Sequence, residues 1–196
     1  MHSEHVKKSY AKFFKILFDS LPQKLLIFIS FALFIFVTTY KITNASLWFD
    51  EGVEYLVSTK LFSQMISAIN TTYQPPLYNF IMHLLLKISL SEYWFRLTSA
   101  LFGIIGCLGL YFTLKELKGR IFACIGIFAY TFLRNVVYYN QECAEYSLLI
   151  CCLLWFTYFF ICLLKEFTIS KCVLFVISGI LSVYSQYGAV FPVAGL

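Results

Sequence analysis

This chain contains little charge. Charged residues make up 13% of its 196 residues, whereas an ordinary soluble domain carries about 25%. That scarcity excludes a soluble globular domain. Apolar residues take the place of charge: 60% of the chain is hydrophobic, with 22 Phe and 14 Tyr. The composition therefore predicts a polytopic membrane protein.

Metal-ligand patterns and clustered basic residues are also missing. No CxxC pair and no His/Cys group with ligand spacing occurs, so no metal site is predicted. The net charge of +5 comes from basic residues between apolar runs, which favours membrane topology over nucleic-acid binding. Six of the seven Cys lie in or beside apolar runs and are expected to pack there, whereas Cys143 is expected to be exposed.

Five apolar runs reach or approach the roughly 20 residues that a membrane-spanning helix needs. A sixth run, Pro76–Ile88, is too short, and its first residue is the second of two adjacent prolines. The pattern predicts an all-α polytopic membrane protein with about five spans. The five runs are Leu25–Tyr40, Tyr93–Phe112, Ile121–Tyr139, Ser147–Leu164 and Val173–Val190.

Basic residues decide whether the sixth run spans, because they concentrate in cytoplasmic loops. If it does not span, the basic N-terminus, the turn KELKGR and the turn with Lys165 and Lys171 all face the cytoplasm. If it spans, KELKGR turns outward, and Asp50 and Glu142 fall on opposite sides. We therefore expect residues 1–24 to form a cytoplasmic basic amphipathic segment and residues 43–92 to form an outer interfacial loop.

The outer loop carries helical patterns of its own. Apolar residues recur near helical spacing from Glu51 to Ile69, which predicts an amphipathic helix with Asp50 at its N-cap. The Pro-Pro pair then starts a second short helix over Leu77–Ile88. Two such helices would form a shelf where a lipid-linked molecule meets a water-borne one.

Acidic residues at two places on the outer side are the strongest candidates for chemistry. Asp50 and Glu51 lie in "SLWFDEGVEYL", after the first apolar run, where a capped helix start is the alternative explanation. Glu142 lies in "YYNQECAEYSLL", where acids at a membrane boundary are often simply solvated. Their shared side favours a common site.

Two arginines lie near the outer ends of apolar runs, where an ionisable group is costly without a partner. Arg96 and Arg134 therefore either bind a lipid phosphate or extend to ordinary headgroups. Tyr146 is either an interfacial aromatic residue or a ligand contact.

Three motifs in order resemble the GT-C-fold glycosyltransferases that use polyprenyl-phosphate sugars, closest to the protein-mannosyltransferase and aminoarabinose-transferase-like branch. They are "SLWFDEGVEYL", "QPPLYNFIMHLLLKISLSEYWFRLTSALFG" and "YYNQECAEYSLL". The resemblance implies a fold of about a dozen spans, of which residues 25–196 would form an incomplete, N-terminal part. It also implies transfer of a sugar from a polyprenyl phosphate or diphosphate to an acceptor, with inversion, outside the cytoplasm.

The resemblance further implies roles for residues. Asp50 would be the general base and Arg96 would lie near the leaving phosphate, while Glu51 and Glu142 would position hydroxyls. Many such enzymes need no metal, and no cofactor beyond the lipid-linked sugar substrate is expected. The assigned site is catalytic Asp50, Glu51 and Glu142, with substrate binding by Arg96, Arg134, Gln74 and Tyr146.

The chain departs from the family pattern at three points. Ala144 stands where family members often have Arg, Gln74 stands where His is common, and the chain stops at Leu196. A truncated, non-catalytic membrane protein is therefore the alternative, and a lipid or sugar transporter is a weaker one. The expected location is the plasma (inner) membrane with the site facing the periplasm, and the acceptor is a glycan, a lipid or a protein.

Overall fold

The computed structural model describes residues 23–43, 46–72 and 74–195. The predicted cytoplasmic segment 1–24 lies, apart from its last two residues, outside this part. All regular structure in the described residues is helical. The helices are α1 (Gln23–Thr39), α2 (Phe49–Thr59), α3 (Phe62–Thr72), α4 (Leu77–Leu86), α5 (Glu92–Lys118), α6 (Arg120–Thr131), α7 (Arg134–Gln141), α8 (Tyr146–Lys165), α9 (Ile169–Ser185), a 3-10 turn (Tyr187–Ala189) and α10 (Val190–Ala194).

The prediction of an all-α membrane protein is confirmed, but its third span is not one helix. Among the described residues, α5 and α8 are long and apolar enough to cross a membrane. The predicted run Ile121–Tyr139 is instead split into α6 and α7, which meet at a bend of 70° and together make a third candidate. α1 and α9, with 17 residues each, lie at the short end of spanning lengths.

Small residues on α5 allow its close packing against α8. A Cβ added to Gly106 would lie 3.0 Å from the Cα of Cys151, and one added to Gly109 would lie 3.3 Å from the backbone of Leu154. Such contacts drive helix association in lipid, where burial of apolar surface contributes little. α9 packs against α8 through Phe175, whose ring stacks on that of Phe156 with the ring centroids 4.4 Å apart.

The described residues of the outer loop form three short helices, so the prediction of one helix from Glu51 to Ile69 is wrong. α2 ends at Thr59 because Lys60 takes an extended conformation, with ψ 163°. The predicted N-cap is also wrong, since Trp48 occupies that position and Asp50 lies in the first turn.

The buried face of α2 is polar. Glu51, Glu54 and Ser58 are buried, whereas Leu56 is 63% exposed. The apolar periodicity predicted an amphipathic helix without showing which face is buried, and in the structure the helix turns its acids toward the protein. α2 therefore contributes acidic side chains to a site.

α4 confirms the predicted short helix after the Pro-Pro pair. It packs through Tyr78, Met82 and Leu86 onto Phe95 of α5 and Leu148 of α8. Its 10 residues rise about 15 Å, half of the hydrocarbon thickness. The helix is thus too short to cross a bilayer.

Candidate active site

Glu51 lies at the point where the two acidic motifs meet. Its carboxylate accepts hydrogen bonds from Arg96 Nε at 3.2 Å and Arg96 Nη2 at 2.7 Å. The backbone N–H of Cys143 donates to it at 2.9 Å and that of Trp48 at 3.2 Å. This buried carboxylate joins the start of α2, the helix α5 and the loop before α8.

Arg96 extends the same connection. It is 5% exposed, and beyond Glu51 it donates to the carbonyl oxygens of Ile42 at 3.0 Å and Ser46 at 3.2 Å. The guanidinium thus holds the segment between α1 and α2 against α5. Cys143 was expected to be exposed, but it is completely buried beside this pair. Its backbone N–H donates a hydrogen bond to the buried Glu51, which holds the residue inside the protein.

A cleft of about 330 Å³ opens between α2 and the 138–146 segment. Four of the predicted site residues line it: Asp50, Glu142, Gln74 and Tyr146. Asp50 is exposed to it. Its remaining lining residues are Trp48, Phe49, Val53, Glu54, Tyr138, Tyr139, Ala144 and Glu145. We call it the acidic cleft, because four carboxylates line it and, among the described residues, no Lys or Arg does.

Glu142 is the buried acid of this cleft. It is 6% exposed, and its Oε2 has no hydrogen-bond partner among the described residues. Burial, reinforced by the negative charges of Glu51, Glu145 and Asp50, raises the pKa of Glu142 to about 7, against a weaker opposing hydrogen bond from the Trp48 side chain. Glu142 can therefore carry a proton near neutral pH and offer it to a bound hydroxyl.

Glu54 is a second buried acid of the cleft, which the sequence analysis missed. It is 5% exposed and accepts a hydrogen bond from Asn79 Nδ2 at 2.6 Å. Burial raises its pKa to about 7, partly opposed by hydrogen bonds from Asn79 and Gln74. Its spacing of four residues from Asp50 on one helix is the signal that could have identified it.

Glu145 completes the group of four carboxylates at this cleft. It lies at the N-cap of α8, and burial raises its pKa, with the negative charge of Asp50 adding to the effect. Glu145 lies three residues after Glu142 in the motif YYNQECAEYSLL, and it was not among the predicted site residues.

A second cleft, of about 440 Å³, adjoins the first and shares Trp48, Tyr138 and Glu142 with it. We call it the basic cleft, because it contains the two cations that the described residues contribute to this pair of clefts, Lys41 and Arg96. The carboxylates of Glu51 and Glu142 line it as well, together with Ile42, Ser46 and Gln141. Lys41 is exposed and has a φ of 57°, a left-handed conformation that few non-glycine residues adopt. Such strain is often found at functional sites.

Two positions from the sequence analysis contribute no positive charge to the acidic cleft. Arg134 is exposed at the start of α7 and is not among the residues that line either cleft. Ala144, which stands in place of the family arginine, does line the acidic cleft. Among the described residues, no three His, Cys, Asp or Glu side chains are grouped closely enough to bind a metal ion.

Comparison with protein families gives one match. The family model described as dolichyl-phosphate-mannose-protein mannosyltransferase matches residues 73–196, well over half of the chain. No curated protein and no solved structure matches the chain significantly. Asp50 and Glu51 precede the matched region, but Glu51 is bonded to Arg96 and Cys143 within it.

Proposed function

Because the chain belongs to the dolichyl-phosphate-mannose-protein mannosyltransferase family, and is thus a GT-C-type membrane glycosyltransferase, we propose that it transfers a sugar from a polyprenyl phosphate or diphosphate to an acceptor hydroxyl. One observation carries the proposal: acids more than 80 residues apart in sequence line one cleft beside a basic one. The two clefts offer separate places for a hydroxyl acceptor and a phosphate.

The reaction needs a base beside the acceptor hydroxyl. Asp50 lines the acidic cleft and is exposed there, so its carboxylate can serve as this base. The acceptor oxygen attacks the anomeric carbon, and its proton passes to the Asp50 carboxylate. As the new C–O bond forms, the bond to the phosphate oxygen breaks, and its electron pair leaves with the phosphate. Attack opposite to the leaving group inverts the anomeric carbon.

Glu142 supports this reaction as a hydrogen-bond donor. With a pKa of about 7 it is largely protonated at mildly acidic pH, so its carboxyl proton can bond to a sugar or acceptor hydroxyl. It lines both clefts, which suits a residue that orients the sugar between acceptor and phosphate.

Lys41 is the cation best suited to the leaving phosphate. The charge of Arg96 is already offset by Glu51, and its guanidinium also donates to two backbone carbonyls. Lys41 is exposed in the basic cleft, where its ammonium can stabilise the charge that develops on the phosphate. Arg96 would act on the phosphate mainly by shaping the cleft around it.

The aromatic residues of the acidic cleft suit a carbohydrate. Trp48 and Phe49 line this cleft from the α2 side. Tyr139 and Tyr146 line it from the 138–146 segment, with their ring centroids 4.8 Å apart. Binding sites of this kind combine aromatic walls with a few polar groups that fix orientation. The acceptor hydroxyl belongs to a glycan, a lipid or a protein.

In this proposal the protein lies in the plasma (inner) membrane, and its site faces away from the cytoplasm. The distribution of basic residues supports this side, because the turn with Lys115 and Lys118 and the turn with Lys165 and Lys171 lie at the ends of α5 and α8 remote from the clefts.

Replacing Asp50 with Asn tests the proposal. D50N removes the base at nearly constant size, and we expect transfer of radiolabelled sugar from polyprenyl phosphate in membranes to fall by at least about 100-fold. E166Q likewise replaces a carboxylate with an amide, at an exposed acid paired with Lys171, and should retain wild-type transfer. Unchanged transfer by D50N, with normal membrane insertion, would remove Asp50 from this role.

A non-catalytic role is the second candidate, favoured by Ala144 in place of the family arginine. The purified chain distinguishes the two. Binding of the lipid-linked sugar with no turnover would favour the non-catalytic role, whereas turnover that D50N abolishes would exclude it.

A further inference from the structure

A third cleft, of about 400 Å³, lies where α2 and α4 both end, and it shares no lining residue with the acidic or the basic cleft. Its polar lining includes Lys60, Lys87 and His83, and its apolar lining includes Leu61, Phe62 and Leu90. The proposed transfer reaction uses none of these residues, so the cleft calls for a separate explanation.

Two lysines give this cleft a positive charge. Lys60 and Lys87 are both exposed, and the ion pairs found among the described residues involve neither. Within the same described part of the chain, no Asp or Glu lines the cleft. Each lysine follows a helix C-terminus, whose partial charge is roughly −0.5, so two full positive charges exceed that of both termini.

A hydrogen bond joins the two helices that carry these lysines. His83 Nδ1 lies 3.0 Å from the carbonyl oxygen of Ser58, so Nδ1 carries the proton and donates it. The bond joins α4 to the last turn of α2, immediately before Lys60. The cleft is therefore preformed, and an anion can enter it without a rearrangement of the two helices.

The apolar side of this cleft is exposed to the surroundings. Leu61, Phe62 and Leu90 are 70%, 52% and 64% exposed. Side chains of this kind at the surface of a membrane protein are suited to acyl chains. Basic and apolar residues combined at a membrane surface are typical of sites for anionic lipids.

We propose that the third cleft binds the phosphate headgroup of an anionic phospholipid. Lys60 and Lys87 contact the phosphate, and Leu61, Phe62 and Leu90 pack against the acyl chains. A lipid at this position holds the junction of α2 and α4 at the membrane surface, and α2 carries Asp50 at its other end.

Lipid titration of the full chain in detergent tests the proposal, with bound phosphatidylglycerol counted by native mass spectrometry. A lysine near an anionic headgroup contributes roughly a five-fold gain in affinity. K60Q/K87Q should therefore weaken phosphatidylglycerol binding by roughly 25-fold. Phosphatidylcholine should bind the wild type weakly, and the variant equally weakly.

K165Q/K171Q is the matched control, because it removes two lysines already paired with Glu116 and Glu166. We expect it to bind phosphatidylglycerol as the wild type does. Equal weakening in both double variants would indicate a nonspecific charge effect and would overturn the proposal. Displacement of phosphatidylglycerol by inorganic phosphate at equal concentration would identify a free anion as the ligand and overturn it as well.

Discussion

Arg96 donates hydrogen bonds to both carboxylate oxygens of Glu51, a residue 45 positions earlier, from Nε at 3.2 Å and from Nη2 at 2.7 Å. The pair is almost fully buried. Because the backbone N–H of Cys143 also donates to Glu51, this contact fixes the distance between the two acidic motifs. The paired acids at positions 50 and 51 therefore divide their work: Glu51 builds the site and Asp50 faces its interior.

Breaking this pair should destabilise the protein strongly. R96Q leaves the buried carboxylate of Glu51 without its cation, and we expect a loss of about 3–5 kcal/mol in the free energy of unfolding. Denaturant unfolding in detergent measures it. The double variant E51M/R96M should lose less than either E51Q or R96Q alone, since no unpaired charge remains. A single variant as stable as the wild type would contradict the structural role of the pair.

Glu54 should make stability depend on pH. Its pKa is about 7 in the folded protein against 4.5 ordinarily, so between these values the folded state holds a proton that the unfolded state has lost. The free energy of unfolding must therefore fall as pH rises from about 4.5 to about 7. E54Q, which keeps an acceptor for Asn79, should show a smaller fall in thermal unfolding midpoints. E166Q should keep the wild-type slope, and an unchanged slope in E54Q would contradict the prediction.

Glu142 should control the alkaline side of the activity profile. If its proton bonds a substrate hydroxyl, transfer must decline as pH rises through about 7, because the carboxyl then ionises. E142Q retains a donor that does not titrate in this range. We expect kcat/KM of E142Q to stay level from pH 6 to 8, where that of the wild type declines. Parallel declines in the two proteins would assign the titration to another group.

Gly103 on α5 should tolerate no side chain. A Cβ there would overlap the amide of Asn140 on α7, which is 1% exposed, so G103A should cost about 1–3 kcal/mol. G52A is the control, because nothing lies within 4 Å of its added Cβ, and a helical alanine should stabilise α2 slightly. The double variant G103A/N140A should recover stability. Recovery would locate the strain at this contact, and its absence would place the cost elsewhere.

Composition and hydropathy were sufficient to predict the class of the fold. The apolar runs predicted α1, α5, α8 and α9, with close agreement at both ends of α1 and α8. By contrast, α5 extends beyond its run to Lys118, and α9 begins at Ile169 and ends at Ser185, both earlier than predicted. The Pro-Pro pair predicted the start of α4. The three ordered motifs predicted the family, which the match over residues 73–196 confirms. These features depend on local sequence, which is why they could be predicted.

The bend between α6 and α7 could not be predicted, because hydropathy counts apolar residues without showing where they point. Neither proline nor glycine marks the break at Phe132 and Leu133. The bend instead follows from tertiary contacts, with Val136 and Asn140 of α7 buried inside the protein.

The face that α2 buries could not be predicted for a related reason. An apolar stripe is expected to face inward in water, but next to a membrane the inside of the protein can be the more polar side. Glu51 and Glu54 are buried because Arg96 and Asn79, from later helices, provide their partners. Only the folded chain shows these pairings. Which of the acids carry out the chemistry stays a prediction.

The amide of Gln141 joins the first helix to the site. Its Nε2 donates to the carbonyl oxygens of Val37, Thr38 and Tyr40, at 3.2, 3.0 and 3.1 Å, where α1 ends. Gln141 immediately precedes Glu142, so a change in the tilt of α1 moves that acid too. The carbonyl oxygen of Ile42, just beyond α1, is bonded to Arg96, which in turn holds Glu51. A tilt of α1 that follows bilayer thickness is therefore expected to carry both acidic motifs along together and to leave their separation unchanged.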